Sequence, residues 1–317
     1  MKHFILILLA LTLILPLLAE SNPRPSLNQV FALEQQGRFA DAIAIGQPLV
    51  DSGTLTEVQL GRACTLLGFA YREVGKFTEA QSTFERSIHI FEGKPEYVSD
   101  YASALDYIGG LYNDMEEVRA ASQSWSKALH LFEQQNDHAG IARASSNLAG
   151  LALQQNKLHE AGKYLKRTAA ETKLTQELDN DDTIAIFLNQ AWLALLQHDV
   201  VAAAAGYQHA LELCKQQHGE EHPLTGWGYM LVGKAYAEAG KVNAALENMR
   251  AGLTILDYTL GRQNLKYLVA EVAYSRALNK AGSHLEAKQI KTAADQAIKD
   301  FYRRQCIGCT ISVAAFR

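Results

Sequence analysis

Proline and cysteine are scarce in this chain, and each shortage removes a class of fold. Six prolines in 317 residues exclude collagen-like and proline-rich architectures and leave long stretches free to be helical. Four cysteines in a chain of this length are too few for a disulfide-stapled scaffold. Positive charge is not in excess, because 30 Lys and Arg stand against 34 Asp and Glu. A mildly acidic chain has no electrostatic case for a nucleic-acid partner. Beyond the first 18 residues no apolar run approaches the roughly 20 residues of a membrane span. No Asn-x-Ser/Thr acceptor occurs. Missing too are a Ser-His-Asp arrangement, a Gly-rich phosphate loop and a paired-carboxylate signature. Neither an enzyme nor a cofactor is therefore expected.

What is present begins with "MKHFILILLALTLILPLLAES". Lys2 gives a positive start, and Phe4 to Leu18 are apolar except for Thr12 and Pro16. Ala19 is a small residue before a cleavage point. Residues 1–19 thus read as a secretory signal, which predicts an exported protein, periplasmic or extracellular. Leu17 is not small, so an uncleaved anchor is the alternative. Losing the leader removes only Lys2 among charged residues and leaves no membrane span.

Leu, Ala, Gln and Glu are frequent, which favours helix over strand. "LGFAYREVGKFTEAQSTFERSI" (67–88) then shows how the helices are arranged, because its spacing returns about every 41 residues. Twelve residues separate the members of each pair Val30/Ala42, Gly68/Ala80, Gly109/Ala121, Ala149/Ala161, Ala191/Ala203, Gly233/Ala245 and Ser275/Ala287. All but Val30 are small. Seven residues after the first member come Gly37, Gly75, Glu116, Asn156, His198, Gly240 and Gly282, mostly types that tolerate the left-handed backbone ending a helix. Four residues after each Ala come Gly46, Phe84, Trp125, Leu165, Tyr207, Met249 and Lys291, mostly large and apolar. Two antiparallel helices joined by a tight turn need small side chains where their backbones approach. The large residues are expected to fill the gap between one hairpin and the next. No hairpin can bury both faces, so the units must stack.

The chain resembles the tetratricopeptide repeat family over roughly residues 23–302, best in "CTLLGFAYREVGKFTEAQSTFERSI" (64–88) and "YMLVGKAYAEAGKVNAALENMRAGL" (229–253). A period near 42, the linker "HGEEHPLT" (218–225), its degenerate counterpart "LGRQNLK" (260–266) and "SNLAGLA" (146–152) resemble the kinesin-light-chain type of repeat. The resemblance implies an all-α, right-handed α-solenoid of about seven helix-turn-helix units over residues 20–302, with a tail at 303–317. The end repeats depart from the pattern as caps should. Gly46 replaces the aromatic in the first, where Pro48 should shorten or kink the second helix, and Lys291 and His284 make the last one polar.

Two short motifs carry possible chemistry. "HGEEH" (218–222) matches an inverted zinc-protease pattern, but Gly219 and Pro223 argue against the single helix it needs. It is expected to be a linker, with no metal. "QCIGCT" (305–310) holds Cys306 and Cys309, read as a local disulfide or inert thiols, with partner linkage or thiol-disulfide oxidoreductase chemistry as alternatives. Cys64 and Cys214, three repeats apart, are expected to be buried fillers. "TISVAAF" (310–316) is a loosely docked terminus or a strand added to a partner's sheet.

In tetratricopeptide arrays the first helix of each repeat lines the concave face. The resemblance therefore places Phe69, Arg72, Arg143, Leu188, Trp192, Trp227, Met230 and Lys234 on a binding wall. An apolar patch at Leu188, Trp192, Trp227 and Met230 would mark an interaction site, unless the indoles pack on the neighbouring repeat. The expected function is non-enzymatic binding of a protein or extended peptide in the groove. A structural part of an envelope or secretion assembly, using its ends and convex face, is the alternative.

Overall fold

The computed structural model describes residues 26–305. The leader at 1–19, Cys306, Cys309 and the segment 310–316 lie outside the described residues. Within them the chain forms fourteen α-helices and one short 3-10 turn at Pro95–Tyr97. The helices pair into seven hairpins. The first three are α1 (Leu27–Gln35) with α2 (Phe39–Asp51), α3 (Glu57–Glu73) with α4 (Phe77–Phe91), and α5 (Val98–Asp114) with α6 (Val118–Gln135). The middle pair are α7 (His138–Gln154) with α8 (Leu158–Glu171), and α9 (Asn180–Leu196) with α10 (Val200–His218). The last are α11 (Pro223–Glu238) with α12 (Val242–Leu260), and α13 (Leu265–Lys280) with α14 (His284–Gln305).

The periodic small residues sit where the helices of a hairpin touch. Ala42, Ala80, Ala121, Ala161, Ala203 and Ala245 are fully buried. The large residues reach toward the next hairpin, as Phe84 of α4 does in stacking on Tyr107 of α5 with centroids 6.4 Å apart. They also close their own hairpin. A Cβ on Gly68 would lie 2.8 Å from the Phe84 ring, one on Gly109 2.7 Å from Trp125 Nε1, and one on Gly233 2.5 Å from Met249 Cγ. The absent side chain on the first helix is the seat for the large one on the second. In repeat 1 the sizes are exchanged, and Val30 packs toward Gly46.

All seven turn positions read from the sequence have positive φ, Glu116 at 60° and His198 at 65° included. In each repeat a single residue separates it from the start of the second helix, so the turn is short and the helices stay antiparallel. The two late linkers also match each other. Gly219 and Gly261 have φ of 88° and 78°. His222 Nδ1 and Asn264 Oδ1 accept from the backbone N–H of Leu224 and Lys266, capping α11 and α13. "HGEEH" thus spans the end of α10 and the start of α11 and is a linker. At the first end, Ser26 and Gln29 form a capping box. Helix α2 continues three residues past Pro48 but is the shortest of the second helices, at 13 residues. At the other end Lys291 is exposed and paired with Asp295.

The stack curls until it meets itself. Turns of repeats 1–3 rest on the linkers and terminus of the late repeats. His218 Nδ1 lies 3.2 Å from the Gln35 carbonyl, and Asn264 Nδ2 donates to the Glu73 carbonyl at 2.9 Å. Lys266 pairs with the Glu73 carboxylate. Tyr302 OH donates to the Asp114 carbonyl at 2.9 Å. Phe301 meets Phe77 edge-on with centroids 5.3 Å apart. A Cβ on Gly37 would lie 2.7 Å from Pro223, and one on Gly75 2.9 Å from Phe301. Hydrogen-bonded partners across this seam are 183 to 193 residues apart. So constant a separation means one helical register: repeat 1 lies on the start of repeat 6, repeat 2 on repeat 7, and repeat 3 on the end of α14. A single apolar core runs across the seam from Leu67, Phe77 and Phe84 to Leu278, Ile298 and Phe301.

Candidate functional site

First helices pack side by side along the array, α1 through α9 in order and α11 on α13. They form the inner wall of the coil. Helices α9 and α11 are the least closely packed neighbours of this kind.

Much of the wall is stitched by ion pairs from one repeat to the next. Arg62 Nε lies 2.6 Å from Asp100, and Arg72 Nε lies 2.6 Å from Asp114. A Cβ on Gly110 would lie 2.9 Å from Arg72 Nη1, so this glycine makes room for the guanidinium. Arg143 reaches both ways, 3.0 Å to Asp106 on α5 and 3.2 Å to Asp182 on α9. Asn147 donates to the other Asp106 oxygen at 3.0 Å. Burial alone would lower Arg143, but its two carboxylates hold it above the usual range. One guanidinium shared by two buried acids does not offset burial for the outer one, and Asp182 is pushed up to about 7. Farther along, Asn189 donates to the Ser146 carbonyl at 2.9 Å.

Arg72 and Arg143, expected to face a ligand, are thus held by carboxylates of neighbouring first helices. Phe69 is wedged between Phe39 and Tyr107, edge-on at 5.9 and 5.7 Å. Met230 departs from expectation. It is 2% exposed and lies against Gly252, whose missing side chain makes the space. Helix α11 is buried against neighbours on several sides, so the apolar side facing inward could not be told from the one facing α12. Leu188 and Trp192 are partly buried around α9 and α10. Trp227 packs on the core that crosses the seam. The two indoles therefore rest on different clusters.

Trp192 and Lys234 are brought together. The Lys234 ammonium stands 5.8 Å from the centre of the Trp192 ring, across the loose α9–α11 junction. Burial and the neighbouring Arg276 hold Lys234 below the usual lysine range, against a smaller pull from Glu238. Two turns back on the same helical face stands Trp227, half-buried. A cation over an indole, a second cation beside it and another indole along the groove make a surface suited to a chain carrying apolar and anionic groups. Among the described residues no cluster of His, Cys, Asp or Glu could hold a metal ion.

A tetratricopeptide repeat family model matches residues 182–257, the hairpins α9–α10 and α11–α12 that carry this surface. No curated protein sequence matches the chain. Among solved structures, the chain is similar to the apo form of RapI, with TM-score 0.60 and 12% identity over 86% of this chain and 97% of that one. It is also similar to a Rap protein complexed with competence and sporulation factor, with TM-score 0.54 and 12% identity over 88% and 94%. In the Cut9–Hcn1 hetero-tetramer of the APC/C the values are 0.60 and 19%, over 86% of this chain and 48% of that one. These likenesses fix the class of fold: an all-α solenoid of tetratricopeptide type with about seven repeats.

Proposed function

We propose that the protein is a non-catalytic binding module that grips an extended segment of another protein along the inner wall of the coil. The Trp192–Lys234 pair carries this reading. An ammonium held among apolar groups, beside a second cation, is stabilised by an anionic group arriving from outside. Trp192, and Trp227 two turns along from Lys234, supply the large, rigid contact area typical of binding hot spots. The chemistry that fits is an extended peptide with an acidic side chain flanked by apolar ones. The ladder of Arg72 and Arg143 keeps the wall rigid beside the contact. The 42-residue period and the two matching linkers support the kinesin-light-chain type of repeat, and the apolar leader at residues 1–19 supports export.

Selection of peptides from a random display library on the immobilised chain tests the proposal. Selected sequences should be enriched in Asp or Glu next to apolar residues. Lys234→Met and Trp192→Ala should each weaken their binding about tenfold or more with helicity unchanged. Peptides that bind both variants as tightly as the wild type would overturn the proposed site.

A further inference from the structure

The first rung of the seam gathers ionisable side chains that neither hairpin packing nor the groove requires. His218 ends α10 with its ring between two acceptors, Nδ1 3.2 Å from the Gln35 carbonyl and Nε2 2.6 Å from Asp181 Oδ1. Neither partner atom can donate, so both bonds exist together only when both ring nitrogens carry protons. The His222 ring stacks on it, centroids 4.3 Å apart. Because His222 Nδ1 accepts from Leu224 N–H, its own proton sits on Nε2, which is buried without a hydrogen-bond partner. One residue before Gln35, the Glu34 carboxyl is buried and its Oε1 has no partner. It interacts with the Glu73 carboxylate, which Lys266 holds from across the seam.

We propose that the seam is a pH-sensitive clasp, closed while His218 is doubly protonated and Glu34 keeps its proton, and opening as those two protons leave. The remaining groups around them set the sign. Glu34 faces Glu73, whose charge is shared by Lys266 of α13 and Arg72 of α3, while Arg38 and Asp41 at the head of α2 pair outward with each other. Asp181 and, more weakly, Asp179 of α9 face His218, His222 stacks on it, and Lys215 on its own helix is matched by Glu212 and Glu220.

Burial and the Glu73 charge push Glu34 up to about 9. The hydrogen bond to Asp181 raises His218, although burial opposes it. Both groups therefore hold protons more tightly in the closed coil than in an open one. Their support for closure is complete below the ordinary carboxylate and imidazole values and is lost as pH climbs through the closed-state values. Each such proton shifts the open-to-closed ratio by up to tenfold per pH unit. His222 has the opposite sign. Burial and the facing His218 hold it down at about 4, so it opposes closure only as pH falls from about 6.5 toward 4. Closure is firmest in mildly acidic solution and weakens on the alkaline side.

The clasp is independent of what the groove binds, and its test uses the ligand-free full-length chain. Small-angle X-ray scattering from pH 5.5 to 9.5 reads the radius of gyration, and far-UV circular dichroism on the same samples reads helicity. The wild type should expand as pH rises above about 7 while remaining helical. Glu34→Gln, which cannot ionise, should move that expansion to higher pH. Lys266→Met, which leaves Glu73 without its partner across the seam, should be expanded and helical already at pH 6. A wild-type radius constant to pH 9.5, an expansion that Glu34→Gln leaves unmoved, or loss of helicity in step with expansion would each overturn the clasp.

Discussion

Gly68, Gly109 and Gly233 act through what they lack, since each is the floor on which a Phe, Trp or Met of the partner helix rests. Replacing Gly109 with Leu sets a branched side chain into Trp125 and strains its hydrogen bond to the Asp106 carbonyl. Overpacking of this kind costs about 1–3 kcal/mol, and the urea midpoint should fall accordingly. Glu34 works in the other direction. With its value raised from 4.5 to about 9, its support for the fold is complete below pH 4.5 and is lost as pH rises toward 9. Glu34→Gln should therefore melt at a higher temperature than the wild type at pH 8, with a difference that shrinks toward pH 5. The slope between them is at most about 1.4 kcal/mol per pH unit. The glycine positions were legible because the same offset recurs in every repeat. Glu34 was not, because one acid in a degenerate first repeat resembles any exposed charge until its neighbours are known.

Helices and turns were the most legible level. Repeated small and large residues located every hairpin, and even Glu116 and His198, residues unsuited to positive φ, were placed by register alone. Legibility ended where the pattern stopped distinguishing faces. Met230 lies on a helix buried on several sides and turned into the core. Arg72 and Arg143 looked like ligand contacts because their carboxylate partners lie about a repeat away, and offsets within one hairpin do not reveal them. The ladder between first helices gives a test at this scale. Arg143→Met would leave Asp106 and Asp182 buried without their cation, at a cost of about 3–5 kcal/mol. Hydrogen exchange should then rise first in α5, α7 and α9, with the α11–α14 hairpins less affected.

For the whole molecule, closure is the property that repeat periodicity does not encode. A solenoid is held by nearest-neighbour contacts, whereas here partners 183 to 193 residues apart are bonded. One trace was present in the sequence. Where repeats 4–6 carry Leu153, Leu195 and Ala237, repeats 1–3 carry Glu34, Arg72 and Asn113. This position is apolar in the middle repeats and polar along the edge that the late repeats cover, and it is polar again at the exposed Asn279 of the last repeat. Truncation after Lys299 removes Phe301 and Tyr302 and should raise exchange around Gly75 and Asp114, distant in sequence but adjacent across the seam.

Zero-length carbodiimide cross-linking of the monomer tests the closed coil most directly, because it joins only carboxylates and amines already in contact. The adjacent-repeat pairs Glu57–Lys94 and Glu238–Lys280 serve as internal controls. The closed coil predicts a third linked peptide, joining Glu73 to Lys266, that disappears in Lys266→Met. Recovery of both control links from the monomer without any bond between Glu73 and Lys266 would contradict it.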